Sequence, residues 1–502
     1  MQTSSSSHFI DGSSCAAKKQ LYDVIIIGAG MSGVNVGKLL KQRGLTNNVL
    51  ILEANDYIGG RLCSKTLLNG KATIDIGGQW IGPPQPKVLN LVKELGLSTY
   101  PQYFEQEKRK SSLVFPSIGG KKHILKYTGS IPSDPKNVTD EVLMDFDHCI
   151  QNIERMAHTV PVDAPHECEK AEEYDSQTVQ TFMDNMFKTE IAKDFFKTFV
   201  VTVFACQPYE MSTLFMLWYI AVAGGKFENL MNVRDAAQDC KIYRGSQGIV
   251  TGVAEQFKLN VLLKHPVVKI KDEGSSMSVT CKNGAVFQAK YVVTTNLPWT
   301  HLGIEYDPPL PSARHNFCQR TPMGYAIKCF MLFKEPFWRK KYDSNGFILS
   351  LQPEDYITLT YDIGYKDDMI CGICGFVYAE KACEYSTFSR EKKIDLLLKQ
   401  YSETLGGTIE EWKSQFVDYI DKDWGLDPYA RGSYGAVTVP GTLTKTKLAF
   451  REPLYNRKLF IAGTESASRW IGYMEGAIDA AERVVTELAP LFEPSQGRTS
   501  KL

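Results

Sequence analysis

The 502-residue chain is long enough for about two to four domains with large hydrophobic cores. Its 57 basic side chains balance 57 acidic ones, so net charge gives no reason to expect nucleic acid or an anionic membrane as a partner. The longest apolar run, residues 214–223, is too short to cross a bilayer and predicts a buried helix instead. The 12 cysteines follow no disulfide or metal-site spacing, so we predict free thiols and no bound metal.

A nucleotide-binding turn follows the first predicted strand. The apolar run 22–27 leads into Gly28-Ala-Gly30-Met-Ser-Gly33, and a second apolar run ends at Glu53. In this pattern Gly28 allows a tight turn, Gly30 admits a pyrophosphate to the backbone, and Gly33 lets the helix pack on the strand. Free N–H groups at the helix start would bind phosphates. Glu53 would bind a ribose and repel a 2′-phosphate, which argues against NADP.

The middle of the chain predicts a second domain inserted into the first. Glycine pairs at 59–60 and 77–78 indicate backbone wrapped around a flat ligand, and an amphipathic helix is predicted over 87–95. Helical spacing continues over 142–156 and 178–204. Strand patterns then return at 261–270, 278–281 and 290–295.

We therefore predict an α/β protein with a discontinuous, Rossmann-like nucleotide-binding domain and an interleaved α+β substrate-binding domain. The predicted boundaries are 21–99, 240–316 and 424–490 for the nucleotide-binding domain and 100–239 and 317–423 for the substrate-binding domain. Cys371-Gly-Ile-Cys374 lies inside an apolar run with strand character, so core packing is favoured over redox or zinc chemistry.

The closing segment predicts a second cofactor-binding element. A strand ends at Gly463-Thr464-Glu465, and the run 470–477 opens a helix predicted to continue to residue 488. The positive end of that helix dipole would stabilise an electron-rich ring. An NAD-dependent dehydrogenase has no need of such an element, so the pattern favours a flavin.

Taken together, these motifs resemble the flavin-containing amine oxidase superfamily, and within it the monoamine oxidases. The resemblance covers residues 22–490, and the runs 334–341 and 470–476 are its narrower, monoamine-oxidase-like parts. The motifs that carry it are Gly28–Gly33, Glu53-Ala54, Gly59-Gly60-Arg61, Gly77–Gly82, Lys328-Cys329, Lys334–Lys341, Gly463-Thr464-Glu465 and Gly472–Gly476.

The resemblance implies bound FAD that is held by residues from distant parts of the chain. The implied contacts are Gly28, Gly30, Ser32 and Gly33 for the diphosphate, Glu53 for the ribose, Val267 for the adenine, Arg61 for the phosphates and ribityl chain, Trp424 for the flavin, and Thr464, Glu465 and Met474 for the ribityl and ring end. Gly78, Gln79, Trp80 and Ser433 are further implied cofactor contacts.

The resemblance also implies three catalytic side chains. Lys328 lies in an apolar run, where an unpaired ammonium would be costly, and matches a lysine that holds a water beside the flavin. Tyr434 and Tyr473 match two tyrosines that form an aromatic cage in front of the flavin. Electron-rich ring faces there would attract and orient the substrate amine.

The resemblance places an apolar substrate pocket beside this cage. Phe204 and Met231 are bulky enough to gate it, and Gln238 would be a lone polar group that orients the substrate. Such a pocket favours aryl- or alkylamines over polyamines. A substrate carboxylate would need an arginine, and Arg314, Arg320 and Arg469 stay open for that role. The implied pocket residues are Thr202, Val203, Met231, Gln238, Leu359 and Phe376.

One departure from the animal monoamine oxidases concerns flavin attachment. Those proteins carry a cysteine thioether to the flavin in a Gly-Cys-Tyr sequence, whereas this chain has Gly432-Ser433-Tyr434. Because a serine cannot form that thioether, we predict non-covalent FAD. We also expect no counterpart of the membrane-anchoring helix that those proteins carry.

The implied activity is that of a flavin monoamine oxidase, an amine:oxygen oxidoreductase. The α-carbon of a primary monoamine would pass two electrons to the flavin, the imine would hydrolyse to aldehyde and ammonia, and O2 would become hydrogen peroxide. Three alternatives stay open: a peroxisomal polyamine oxidase, a catalytically inactive flavin-binding protein and, least favoured, an NAD-dependent dehydrogenase.

Both ends of the chain predict flexible polar segments. Residues 1–20 are rich in serine and lack the apolar core of a signal peptide, and residues 491–502 form a polar tail. The tail ends in Ser500-Lys501-Leu502, a peroxisomal address that an import receptor reads. We therefore predict a peroxisomal location with that receptor as a partner. The preferred amine and homo-oligomerisation stay open.

Overall fold

The computed structural model describes residues 20–105, 108–118, 121–129, 131–365 and 368–493. The C-terminal address Ser500-Lys501-Leu502 lies outside the described residues, as do residues 1–19 and 494–502 of the ends that we predict to be flexible.

The described residues form strands and helices throughout the chain. The strands are β1 Leu21–Ile27, β2 Val49–Leu52, β3 Ser64–Leu67, β4 Ala72–Asp75, β5 Thr99–Pro101, β6 Lys110–Ile118, β7 Lys121–Tyr127, β8 Cys240–Ile242, β9 Val261–Leu262, β10 Val267–Asp272, β11 Met277–Cys281, β12 Val286–Thr294, β13 Glu305–Asp307, β14 Ala326–Phe333, β15 Ser344–Ser350, β16 Leu359–Asp362, β17 Cys371–Tyr378, β18 Phe416–Asp423 and β19 Leu459–Ile461. The α-helices are α1 Met31–Gln42, α2 Pro86–Glu94, α3 Asp140–His158, α4 Ala171–Asp175, α5 Val179–Met186, α6 Glu190–Phe204, α7 Thr213–Val222, α8 Glu228–Met231, α9 Gln247–Gln256, α10 Ser312–Gln319, α11 Phe337–Lys341, α12 Ala379–Ser386, α13 Arg390–Leu405, α14 Ile409–Gln415, α15 Leu443–Thr446 and α16 Met474–Leu488.

The first sheet carries the nucleotide-binding turn. Its strand order is β13-β10-β11-β12-β1-β2-β9, and β19 also pairs with β12. β1 runs parallel to both β2 and β12, so that Ile27 aligns with Leu52 on one side and Thr294 on the other. The side chains of residues 24–27 of β1 are buried on both faces, which is typical of a parallel strand covered by helices. Ligands of such sheets bind beyond the carboxyl ends of the strands, where the turn at Gly28 lies.

The second sheet carries Lys328 and two of the predicted substrate-pocket residues, Leu359 and Phe376. Its order is β18-β14-β17-β16-β15-β6-β7, and it is antiparallel except for the β15–β6 pair. Lys328 on β14 aligns with Phe376 on β17, which in turn aligns with Leu359 on β16. The register therefore sets these three side chains in one row across the sheet.

The two sheets draw on alternating parts of the chain. The strands of the first sheet fall within 21–99, 240–316 and 424–490, and those of the second fall within 100–239 and 317–423. A helical core from α3 to α7 packs around buried aromatic side chains such as Phe196 and Trp218. The predicted interleaved α/β architecture is confirmed.

The helical spacing predicted over 178–204 is confirmed, and it belongs to two separate helices. The chain forms α5 and α6 with a break between them, and Phe187 at that break is extended. The carboxylate of Asp145 explains the break, because it accepts the backbone N–H of Lys188 at 3.0 Å and of Thr189 at 2.8 Å. These bonds satisfy backbone donors that a continuous helix would have used.

The apolar run 214–223 is confirmed as buried helix, since it forms most of α7. Across the described part of the chain, no helix is both long and apolar enough to cross a membrane. Cys371 and Cys374 lie in β17 and are buried free thiols, which agrees with core packing.

Candidate active site

A cavity of about 1390 Å³ joins the nucleotide-binding turn to the predicted catalytic side chains. Gly28, Gly30 and Glu53 line one end, and Lys328 and the two predicted cage tyrosines line the other. Sites for single small molecules usually have about 300–1,000 Å³. The cavity is therefore large enough for a dinucleotide and a small substrate together.

At two glycines of the nucleotide-binding turn there is no room for a side chain. Gly28 has a φ of 100°, and a Cβ there would lie 2.4 Å from the hydroxyl of Thr295. A Cβ on Gly33 would lie 1.9 Å from the carbonyl oxygen of Gly28. At Gly30 the nearest atom to an added Cβ, the carbonyl oxygen of Gly59, is 3.7 Å away. Gly30 is thus where a ligand can approach the backbone, whereas Gly33 serves helix packing and does not line the cavity.

Glu53 is a buried carboxylate at the nucleotide end. It accepts the backbone N–H of Ala29 at 2.7 Å and of Asn55 at 2.8 Å. Burial raises its pKa, and these hydrogen bonds oppose the increase. A carboxylate has about four acceptor positions. The side-chain amide of Asn55 also donates to Glu53, at 3.1 Å, so one position remains for a ribose hydroxyl, and the predicted adenine contact Val267 lines the same cavity.

Arg61 is held by hydrogen bonds to two distant segments of the chain. Its guanidinium binds Glu465 in a bidentate ion pair, with N–O distances of 2.6 and 3.2 Å, and donates to the carbonyl oxygen of Tyr434 at 2.8 Å. Arg61 lines the cavity, but Glu465 does not. The structure thus gives Glu465 the task of orienting Arg61, where the sequence predicts a direct cofactor contact.

Lys328 is buried and fully hydrogen-bonded. Its ammonium donates to the carbonyl oxygens of Asp75 at 2.6 Å and Gly77 at 2.9 Å, and to the side-chain oxygen of Gln79 at 2.6 Å. Burial lowers the pKa of Lys328. These three oxygens are the hydrogen-bond partners that the buried ammonium needs and that the apolar side chains of its own strand cannot supply. The role of Lys328 in holding a water stays a prediction. The ammonium also fixes the backbone over 75–79, which lines the cavity at Gly77, Gly78 and Gln79.

Two tryptophan indoles and a threonine hydroxyl stabilise the cavity wall where the flavin ring is predicted to lie. Trp80 donates its N–H to Gln102 at 2.9 Å, and Trp424 donates to the carbonyl oxygen of Ile76 at 3.1 Å. The hydroxyl of Thr464 donates to the carbonyl oxygen of Tyr473 at 3.0 Å and accepts the N–H of Gly472 at 3.0 Å. The predicted contacts that line this part of the cavity are Gly78, Gln79, Trp80, Trp424, Ser433, Thr464 and Met474.

Tyr434 and Tyr473 line the same cavity as Lys328. Phe376 connects the lysine to the cage, because its ring centre lies 5.7 Å from the ammonium and 6.3 Å from the Tyr434 ring. Burial raises the pKa of both tyrosines, to about 12 for Tyr473. Both phenols are therefore neutral near physiological pH, and their ring faces can attract an amine cation.

All six predicted pocket residues line the cavity: Thr202, Val203, Met231, Gln238, Leu359 and Phe376. Gln238 donates from its side-chain amide to the carbonyl oxygen of Leu230 at 3.0 Å. Its side-chain oxygen is buried and has no hydrogen-bond partner among the described residues. This oxygen can accept a hydrogen bond from a ligand.

The gating role predicted for Phe204 is wrong. Its ring packs in the helical core against Tyr219 at 4.7 Å and does not line the cavity. Helical spacing explains the difference, since neighbouring residues of α6 point in different directions and Thr202 and Val203 face the cavity.

The pocket prediction missed several tyrosines that line the cavity, among them Tyr361 and Tyr378 in the second sheet. Each of these two lies two residues beyond a predicted pocket residue on the same strand, Leu359 on β16 and Phe376 on β17. The period-two alternation of β-strands was the signal that could have found them.

The arginines left open for a substrate carboxylate lie outside the cavity. Arg314 is buried against His301 at 3.0 Å, and Arg320 donates to Thr442 at 3.3 Å. Arg469 donates to the carbonyl oxygen of Ser468 at 2.8 Å and is exposed. None of the three lines the cavity.

Comparison with known proteins identifies the family. A sequence model described as flavin containing amine oxidoreductase matches residues 31–489. The chain belongs to this family. Flavin-containing amine oxidase A of Equus caballus is 33% identical over 469 residues, which cover 93% of this chain and 85% of that protein. Flavin-containing amine oxidase B of Homo sapiens is 33% identical over 467 residues, with coverage of 93% and 86%.

Solved structures of two amine oxidases share the fold. Cyclohexylamine oxidase from Brevibacterium oxydans IH-35A superposes with a TM-score of 0.83 at 25% identity, covering 95% of this chain and 100% of that chain. Putrescine oxidase bound to putrescine gives a TM-score of 0.82 at 26% identity, covering 94% and 99%.

FAD is the cofactor of the family, and the cavity fits it. The backbone approach at Gly30 and the acceptor at Glu53 suit a dinucleotide diphosphate and ribose. At the far end, α16 begins at Met474, which lines the cavity, so its positive dipole end faces the space for the ring.

Proposed function

We propose that the chain oxidises primary aryl- or alkylamines with O2 and water to aldehyde, ammonia and hydrogen peroxide. The observation that supports this most directly is the single cavity in which an apolar pocket adjoins Tyr434 and Tyr473. Aromatic faces recognise a cationic or polar amine head, and the apolar wall accommodates the rest of the molecule.

The acidic groups of the cavity argue against polyamines, which need unpaired carboxylates for their further ammonium groups. Glu53 lies at the nucleotide end, beside Val267. Asp427 pairs with Lys422 at 2.9 Å, and Glu105 pairs with Arg109 at 3.4 Å. Within the described lining of the cavity, each acid outside the nucleotide end therefore already has a cationic partner.

In the proposed reaction the cofactor and the side chains of the cavity have different roles. Bound FAD supplies the chemistry, accepting two electrons from the amine and passing them to O2. Tyr434 and Tyr473 orient the amine between their rings, and the free side-chain oxygen of Gln238 accepts a hydrogen bond from the substrate. Aromatic walls such as Trp80 and Phe376 limit access of water to the reacting carbon.

We further propose that FAD is held without a covalent bond. Ser433 lines the cavity, and its hydroxyl donates to the carbonyl oxygen of Ala326 at 3.3 Å. In the described residues, none of the free cysteines lines the cavity, so no thiol is available there for a thioether. Acid precipitation should therefore release the yellow colour into the supernatant. Colour retained in the pellet would contradict this proposal.

Anaerobic titration of the purified protein tests the activity. Tyramine or benzylamine should bleach the flavin band, and air should restore it with formation of hydrogen peroxide. Putrescine and acetylspermine, at equal concentrations, should reduce the flavin more slowly. Faster reduction by either polyamine would favour a polyamine oxidase, and a flavin that no amine reduces would indicate an inactive flavin-binding protein.

The C-terminal Ser500-Lys501-Leu502 supports a peroxisomal location. A fluorescent protein fused to the N-terminus of the full chain should collect in peroxisomes. The same fusion without the last three residues should stay diffuse. An identical distribution of the two fusions would contradict the proposal.

A further inference from the structure

Tyr378 lies in the cavity wall next to the cage, and the proposed reaction gives it no role so far. It is the last residue of β17 and is buried. Its hydroxyl oxygen lies 2.9 Å from that of Tyr434, which is hydrogen-bonding distance. The two rings are 6.2 Å apart and nearly perpendicular, at 79°.

Tyr378 is itself held in place. Its ring stacks on that of Phe376, with centres 5.9 Å apart and planes at 9°. Its backbone aligns with Ala326 on β14, two residues before Lys328. A side chain fixed by a sheet and by a stacked neighbour can restrain the partner to which it is hydrogen-bonded.

The other cage residue also has a tyrosine partner. The ring of Tyr473 contacts Trp470 at 5.0 Å and Tyr219 at 6.1 Å, and its side chain forms a hydrogen bond with that of Tyr219. Each cage tyrosine is therefore held by ring contacts and by a neighbouring tyrosine, and for Tyr434 the partner hydroxyl is that of Tyr378.

We infer that Tyr378 is a positioning residue, which holds the ring of Tyr434 in the orientation that faces the substrate amine. The inference rests on the proposed amine oxidation. It assigns to Tyr378 an effect on the rate of amine oxidation and not on the binding of FAD, because the hydroxyl pair lies at the substrate end of the cavity.

The test is Tyr378→Phe, which removes the hydroxyl and keeps the stacked ring. We expect unchanged flavin content and an anaerobic flavin reduction rate, at saturating benzylamine, that is about 3- to 10-fold lower, in line with the loss of one buried hydrogen bond. The dissociation constant for benzylamine, from the concentration dependence of that rate, should change by less than about 2-fold.

Tyr385→Phe is the matched control. Tyr385 and Tyr419 form another buried pair of hydroxyls, 3.1 Å apart, and neither lines the cavity. Loss of the Tyr385 hydroxyl should lower the thermal stability of the protein and leave the flavin reduction rate unchanged. An equal loss of rate in both variants would mean that Tyr378 acts only through general stability, which would overturn the inference.

A double-mutant cycle tests whether Tyr378 acts through Tyr434. Tyr434→Phe should by itself slow flavin reduction, and Tyr378→Phe in that background should add less than about 2-fold, since the shared hydrogen bond is already gone. Multiplicative effects, or a Tyr378→Phe variant as fast as wild type, would overturn the inference. A wild-type protein that no amine reduces would instead refute the proposed function.

Discussion

The two ends of the cavity are built by different means. At the nucleotide end the backbone makes the surface, and the residue types are set by what a Cβ would strike at Gly28 and Gly33. At the substrate end side chains make the surface, with aromatic rings from β16, β17 and the loops around Tyr434 and Tyr473. At the first end an added side chain would clash at these two glycines, whereas at the second a substituted side chain changes the contacts with the substrate.

This difference explains why the cofactor is easier to assign than the substrate. Backbone geometry leaves a spaced glycine pattern in the sequence, because only glycine fits. A wall of side chains leaves no such pattern, and its specificity depends on single groups such as Gln238. Four substitutions test the comparison.

Gly33→Ala should have the largest effect and abolish flavin binding. The added Cβ would meet the carbonyl oxygen of Gly28 at 1.9 Å and force the helix away from the strand. The visible spectrum of the purified variant measures this. Gly248→Ala is the control, since its Cβ would meet no atom within 4 Å, and it should retain FAD. A yellow, active Gly33→Ala protein would refute the backbone account of this end.

Tyr434→Leu should keep FAD but lower kcat/KM for benzylamine about 10- to 30-fold, because an aliphatic side chain cannot provide a cation–π contact. Steady-state kinetics and the flavin spectrum measure both quantities. If flavin content fell in parallel with activity, the separation between the two ends would be incorrect.

Gln238→Glu should shift specificity toward diamines. A carboxylate at this position of the wall would pair with a second ammonium, and we expect the ratio of kcat/KM for putrescine to that for benzylamine to rise about 10-fold. Gln238→Met, which is apolar and of similar length, should not raise the ratio. A ratio unchanged in Gln238→Glu would place substrate away from this side chain.

Lys241→Met should have the smallest effect, on the pH dependence of stability. Lys241 is buried on β8, donates to the carbonyl oxygen of Ile363 and lies 5.0 Å from the ring of Tyr100. Burial lowers its pKa from 10.5 to about 8. Between these values the unfolded chain binds more protons, so the free energy of unfolding of the wild type should rise with pH there.

Comparing Lys241→Met with the wild type isolates the contribution of the Lys241 ammonium to the pH dependence of the free energy of unfolding. Denaturant unfolding at pH 7.5, 9 and 10 should show a smaller rise in the variant than in the wild type. Parallel curves for the two proteins would mean that the ammonium of Lys241 titrates at its ordinary pKa in the folded state.

Much of the fold could be predicted because apolar periodicity and glycine spacing report local structure. The break between α5 and α6 could not, since it depends on Asp145, a residue far away in the chain. The ion pair of Glu465 with Arg61 and the contact of Tyr378 with Tyr434 could not be predicted for the same reason. Each is a pairing between distant segments, for which one sequence holds no direct signal.

The pairing of β1 with β12 has a consequence for synthesis of the chain. Leu21 aligns with Gln288, and the helices α1 to α9 are made between the two strands. During translation β1 leaves the ribosome long before this partner exists, and the edge of β1 that pairs with β12 stays unpaired until then. Folding should therefore be slow and should benefit from chaperones, as expected for a sheet closed by contacts of high sequence separation.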